Sequence, residues 1–328
     1  DLGGTNIKAA LVDNSGQLVA FHTEPTNVTH GPDDAAVRMG QSVGLLADCV
    51  GRDRSEISAV GLGTPGPQNL STGVLLKPGN FPGWENFPIR ERVSEHCGHN
   101  VTYANDATAA AYGEFWVGSG RDDSSLVLLT LGTGVGGGII IHDMTIEGAH
   151  SHGAECGHII VDSSPTARIC PCGQPGHLEA YASATALNAR ASERLKDGAV
   201  GSLADAVTLG ESITPILIGS HAEQGDAIAM DLLMETADWL AVGIVTLMHT
   251  IDPSAIILGG AMTFGREDNP VGRAFLDRID TCVRRHTFPT LAEKTAIRFA
   301  TLGGNAGSIG AAGLGRLAWK QHNTPMHA

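Results

Sequence analysis

Two cysteines stand two positions apart in Cys170-Pro171-Cys172, with His158 upstream and His177 downstream. Thiolate sulfur and imidazole nitrogen are the usual ligands of a tetrahedral Zn²⁺, and His158, Cys170, Cys172 and His177 make one Cys2His2 set. Gly173 and Gly176 permit the tight return that brings His177 back toward the two thiols. Glu155 and Glu179 flank the set. A carboxylate not spent on the metal can accept hydrogen bonds from a polyol. A metal-bound His158 also keeps its second ring N–H as a fixed donor. The stretch 155–179 therefore reads as a clamp for a sugar, stapled by a structural zinc ion.

Five other places carry candidate chemistry. The chain opens Asp1-Leu2-Gly3-Gly4-Thr5-Asn6-Ile7-Lys8, a turn ahead of an apolar strand. Gly3 and Gly4 let backbone N–H groups approach an anion, Thr5 adds a hydroxyl, and Asp1 could hold Mg²⁺ through water. Asn105-Asp106 follows a short strand and precedes an Ala-rich helix. Asp106 suits a helix N-cap, but the carboxyl end of a strand is also where open α/β sheets bind ligands. Gly132-Thr133-Gly134-Val135-Gly136-Gly137-Gly138 joins two apolar strands. So many glycines cost ordering entropy, and close backbone approach to phosphates is the better account of them. This strand–turn–strand is neither a Walker loop nor a dinucleotide fingerprint. Gly259-Gly260 ends a further apolar strand. In the loop 77–84, Asn80 offers both a donor and an acceptor to a hydroxyl, and Trp84 reads as a packing anchor.

The run 155–179 resembles the zinc loop of the ROK family of bacterial sugar kinases and sugar-responsive repressors. The resemblance extends from Asp1 to about Ala312. The family pattern has a third Cys where this chain has His177, a replacement that is chemically competent as a ligand. The opening turn and the 132–138 turn resemble the two phosphate loops of the actin-like ATPase superfamily, to which ROK kinases belong. The resemblance implies a two-domain actin-like (ribonuclease H-like) α/β fold with sugar and Mg·ATP meeting in an interdomain cleft whose closure excludes water. It implies a hexokinase-type reaction, glucose and ATP giving glucose 6-phosphate and ADP, with Asp106 as the general base. Asn80, Asn105, Asp106, Glu155, His158 and Glu179 would bind the sugar. Asp1, Gly3, Gly4, Thr5, Lys8, Gly132, Thr133 and Gly134 would hold the ATP phosphates and magnesium, and Gly259 and Gly260 the adenosine. An N-acetylhexosamine, mannose or fructose kinase is the near alternative. A sugar-responsive repressor is the alternative of another class, but such proteins add an N-terminal helix-turn-helix that is not read here. A homodimer is expected by analogy with the family.

Composition agrees with this class. A chain of 328 residues suggests two domains and should bury roughly three quarters of its unfolded surface. Its net charge of −14 argues against a general nucleic-acid partner, because phosphate contacts need a basic face. No apolar run reaches the ~18 residues of a membrane span, and no signal peptide is seen. The six cysteines form no disulfide framework, so a reducing cytoplasm is expected.

The elements that must position these residues follow from periodicity. Strands are expected at 7–12 and on through 21, at 57–62, 101–104, 125–131, 139–141, 255–258 and 295–301. Helical spacing marks 32–50, 107–112, 181–195, 203–209, 222–250, 273–286 and 308–319. A polar crossing from Gly113 suggests a first domain over 1–113 completed by the terminal helix (308–328). The second domain, 114–307, would carry the zinc loop.

Overall fold

The computed structural model describes residues 1–79 and 81–323; Asn80, expected to meet the sugar, lies outside the described residues. The chain forms two compact units. The first comprises Asp1–Asp122, Gly138–Ala154 and Leu302–Ala328, and the second Asp123–Gly137 and Glu155–Thr301.

In the first unit, β1 (Asn6–Val12) pairs antiparallel with β2 (Leu18–Pro25), Ala9 standing opposite His22. Asp13 closes the hairpin by accepting hydrogen bonds from the Ser15 and Gln17 N–H groups, a side-chain turn typical of Asp. Helix α1 (Pro32–Cys49) starts with Pro at its first position and Asp33 and Asp34 in its first turn, which suits both the missing N–H and the helix dipole. Strand β3 (Val60–Thr64) begins later than residue 57 because 54–56 form a 3-10 turn capped by Asp53. After the short pair β4 (Gln68–Asn69) and β5 (Val74–Leu75) come α2 (Ile89–Cys97) and β6 (Val101–Asn105). β6 runs parallel to β3 with Thr64 opposite Asn105, so both strands end at one level.

Helix α3 (Asp106–Val117) does not stop at residue 112; the expected domain boundary at 113 falls inside it. A Cβ on Gly113 would stand 2.5 Å from the Ala306 carbonyl oxygen. The glycine is there so that the terminal helix can come close, and it does not end α3. Trp84 is 1% exposed, donates its indole N–H to the Val28 carbonyl at 3.0 Å, and packs on Phe81 with ring centroids 4.9 Å apart. Trp84→Ala is expected to cost about 3–5 kcal/mol, read by chemical denaturation; a loss below about 1 kcal/mol would remove it from the core.

In the second unit, β7 (Ser125–Leu131) leads through the glycine-rich turn into the start of β8 (Val135–Ile141); β8 from Gly138 on belongs to the first unit, where Ile140 and Ile141 pair with β9 (Met144–Thr145). Then come α4 (Glu179–Ala182), α5 (Ala184–Lys196), α6 (Ser202–Thr208), α7 (Pro215–Glu223) and α8 (Ala227–Ile251). The helix expected over 222–250 is thus two helices. Gly225 at φ +88° and Asp226, whose carboxylate caps the Ala229 N–H, break it, the stop-and-start pair of a helix junction. Strand β10 (Ala255–Gly260) lies between β7 and β11 (Ala296–Phe299), parallel to both. All of β10 but its last residue is buried, as a parallel strand covered on both faces must be. Helices α9 (Pro270–His286) and α10 (Pro289–Lys294) precede β11, and α11 (Ala306–Asn323) returns to the first unit to pack on α3. Among the described residues no helix is long and apolar enough to cross a membrane.

Candidate functional site

Asn105 and Asp106 sit where β6 becomes α3. Asn105 is the N-cap: its side-chain oxygen accepts from the Ala107 and Thr108 N–H groups at 2.9 and 3.3 Å. Asp106 is the first helical residue, and its Oδ1 accepts from the Ala107 N–H at 2.8 Å. The capping duty open to either residue therefore falls to Asn105. Asp1 lies close by in the same unit. A Cβ on Gly63 would stand 3.6 Å from Asp106 Cα and 3.9 Å from Asp1 Oδ1, and a Cβ on Gly307 would stand 2.8 Å from Asp1 Oδ2. Lys8 donates from Nζ to the Gly304 carbonyl at 2.8 Å. The start of the chain, the end of β3, the start of α3 and the start of α11 thus gather two carboxylates and one ammonium.

The opening turn is closed by the Gly3 N–H donating to the Asn6 carbonyl at 2.9 Å. Thr26, fully buried, holds it from behind. Its hydroxyl donates to the Gly3 carbonyl at 2.6 Å and its N–H to the Thr5 carbonyl at 2.8 Å.

In the second unit, the turn Gly132–Gly134 and the pair Gly259–Gly260 stand at the carboxyl ends of the neighbouring parallel strands β7 and β10, with Gly260 opposite Leu131. Gly260 has φ +88°, and a Cβ there would stand 2.3 Å from the Leu131 carbonyl oxygen. Only glycine fits that close approach without strain. Ligands of parallel sheets bind at strand carboxyl ends, and these two glycine sites form one such edge.

His158, Cys170, Cys172 and His177 come together with all four ligand atoms within 4.8 Å of one another. Cys170 Sγ lies 3.8 Å from His158 Nδ1, and Cys172 Sγ 3.2 Å from His177 Nδ1. Ligands bound to one zinc at ~2.0–2.3 Å stand about 3.3–3.8 Å apart in a tetrahedron, so the four residues fit such an ion. Burial pushes the Cys170 thiol up to about 12, and an entering ion must displace that proton. Cys156, adjacent in sequence, is outside the cluster; burial, then the charge of Glu155, pushes its thiol up to about 12. His158 turns its other nitrogen, Nε2, toward Glu155 Oε2 at 3.9 Å. Glu179 reaches the cluster from α4, with Oε1 3.6 Å from Cys170 Sγ, while its Oε2 accepts from the Val135 N–H at 2.9 Å. Glu179, expected to meet the sugar, is thus already shared with the glycine-rich turn through one oxygen.

A model of the ROK family matches residues 1–317. The chain belongs to the ROK family. Over 324 residues, 99% of this ROK protein and 95% of its relative, it is 32% identical to a glucokinase of Halalkalibacterium halodurans. It is 30% identical to an N-acetylmannosamine kinase of Haemophilus influenzae, covering 95% of this chain and 92% of that one. A ROK family glucokinase of Streptomyces griseus, solved in complex with glucose and AMPPNP, is similar with a TM-score of 0.77 and 32% identity, covering 96% of this chain and 97% of that one. The fold is the two-domain actin-like ATPase fold.

Two polar side chains that hold the ROK protein's predicted sites in place have no motif around them. Thr26 is one. Tyr181 is the other: its hydroxyl donates to Asp162 at 2.6 Å and accepts from the Arg168 N–H at 2.7 Å, fixing the loop that carries Cys170. Its ring packs on Trp239 with centroids 4.2 Å apart. A lone Thr or Tyr gives no local signal; only the long-range partner reveals the role.

Proposed function

We propose that this ROK protein is an ATP-dependent hexose kinase whose first substrate is glucose, phosphorylated at its 6-hydroxyl. The observation that carries the reading is the division of labour at the end of β6. Asn105 is the N-cap of α3, and Asp106, the first residue of that helix, stands at the end of β6 with its backbone close to the Asp1 carboxylate. In this reading Asp106 takes the proton from the sugar hydroxyl as its oxygen attacks the γ-phosphorus. Asn105 serves the sugar through its NH₂ end, since its oxygen is engaged by the helix. Asn80, Glu155, His158 and Glu179 hold the other hydroxyls. His158 is suited to this because a ligand at Nδ1 leaves Nε2 as an oriented donor.

The turns Gly3–Thr5 and Gly132–Gly134 take the ATP phosphates through backbone N–H groups, an anion cradle built from main chain. Lys8 adds positive charge near the first of them. Asp1 would hold, through water, the Mg²⁺ that accompanies ATP, and Gly259–Gly260 leave room for the nucleoside. The Cys2His2 set would hold Zn²⁺, which supplies structure and no chemistry.

The 30% identity to an N-acetylmannosamine kinase supports an amino-sugar kinase as the second reading. A coupled ADP-release assay with Mg·ATP over glucose, mannose, fructose, N-acetylglucosamine and N-acetylmannosamine tests both. Glucose is expected to give the highest kcat/KM. A preference for N-acetylmannosamine selects the second reading, and no ADP above background with any sugar overturns the kinase assignment.

A further inference from the structure

The turn that is read above as a phosphate cradle does not hold its own shape. Within it the Gly132 N–H donates to the Gly134 carbonyl at 3.0 Å. Three bonds come from the segment just past the metal cluster. The Ala184 N–H donates to the Gly132 carbonyl at 2.8 Å, and the Thr185 hydroxyl donates to the Thr133 carbonyl at 2.8 Å. Glu179 accepts the Val135 N–H at 2.9 Å. Ser183, whose side chain caps α5 through the Ala186 N–H, fixes where Ala184 and Thr185 stand.

These bonds decide where the turn's N–H groups point. A peptide unit is planar and trans, so its C=O and N–H point in opposite directions. The Gly132 carbonyl shares a plane with the Thr133 N–H, and the Thr133 carbonyl with the Gly134 N–H. Both carbonyls are pulled toward the first turn of α5. Both N–H groups are therefore aimed the other way, side by side, as a cradle for an anion requires. Thr26 does the same for the opening turn by holding the carbonyls of Gly3 and Thr5.

We propose that Thr185 is a positioning residue for the phosphate group of the nucleotide: through the Thr133 carbonyl it aims the Gly134 N–H at the phosphate. The inference rests on the kinase reading above. Thr185 touches neither sugar nor nucleotide in that reading. Of the two side chains that bond the turn, Glu179 and Thr185, the Thr185 hydroxyl is the one that can be removed without touching the metal cluster or a proposed sugar contact. The same short segment, 179–185, carries Glu179 at one end and Thr185 at the other. Gly157, next to His158, also packs on Val135, where a Cβ would stand 2.1 Å from the Val135 oxygen. The clamp and the cradle are thus built on one piece of chain.

Calorimetric titration of the intact protein with Mg·AMPPNP, and separately with adenosine, tests this in the wild type, Thr185→Val and Thr185→Ser. Thr185→Val keeps the shape and loses the donor. It is expected to weaken Mg·AMPPNP about three- to tenfold, in line with one hydrogen bond, and to leave adenosine within twofold. Thr185→Ser restores the donor and should bind AMPPNP within twofold of wild type. In turnover, KM for ATP should rise while KM for the sugar holds. Unchanged AMPPNP affinity in Thr185→Val, or equal weakening of adenosine and AMPPNP, overturns the role of Thr185 with the kinase reading intact. A wild-type protein that binds no AMPPNP overturns that reading and this inference together.

Discussion

Asp106→Asn is expected to lower turnover with ATP and the preferred hexose by about 10²–10⁴-fold, the usual contribution of a positioned general base. Sugar affinity should stay within a few-fold, because the amide keeps the carboxylate's shape and one acceptor. The fold should also stay. Helix α3 is capped by Asn105, and the bond from the Ala107 N–H to Oδ1 of residue 106 can be kept by the amide oxygen. The change therefore isolates the proton-accepting function. A steady-state assay beside a sugar titration reads it. Turnover within tenfold of wild type would remove Asp106 from the base role, and a matching loss of sugar binding would make it a binding residue instead.

Cys172→Ser should have the second large effect. Cys172 is exposed, so the exchange opens no cavity, yet it removes one of the four converging ligands. Bound metal, measured by elemental analysis, is expected to fall from about one ion per chain to near none. A structural ion present ~1,000-fold above its Kd adds about 4 kcal/mol. At ~2–4 °C per kcal/mol for a unit of this size, the melting temperature should drop about 8–16 °C. Turnover should fall at least ~100-fold, because His158 and Glu179 lose the frame that orients them. Cys49→Ser, an exposed cysteine outside the cluster, is the control and should keep its metal. A wild-type protein that is fully active without an ion, or a Cys172→Ser protein that keeps one, would end the structural-metal reading.

Much of the architecture was legible because its signals are local. The apolar runs marking β7 and β10 and the amphipathic spacing of α1 and α9 are written in consecutive residues. Element ends were less legible. Gly113 looked like the end of α3, and the Gly225-Asp226 junction was passed over inside one long apolar pattern. In the first case a packing contact with α11, nearly two hundred residues away, decided what the glycine was for. In the second the local stop and cap signals were present but were outweighed by the continuous hydrophobic periodicity.

The candidate site divides the same way. Sequence alone determined which residues could do chemistry: two thiols and two imidazoles at ligand spacing, acids beside them, and glycine-rich turns at strand ends. Residue type and short spacing suffice for that, because ligand softness and backbone freedom belong to the residues themselves. Only the tertiary structure decided which atoms of those residues are already engaged. It gave the capping duty to Asn105 and not Asp106, tied Glu179 to Val135, and set Thr26 and Thr185 behind the two turns. Those hydrogen bonds join residues some twenty to fifty positions apart, or turn on which of two neighbours takes the helix end, and no local pattern in the chain specifies either.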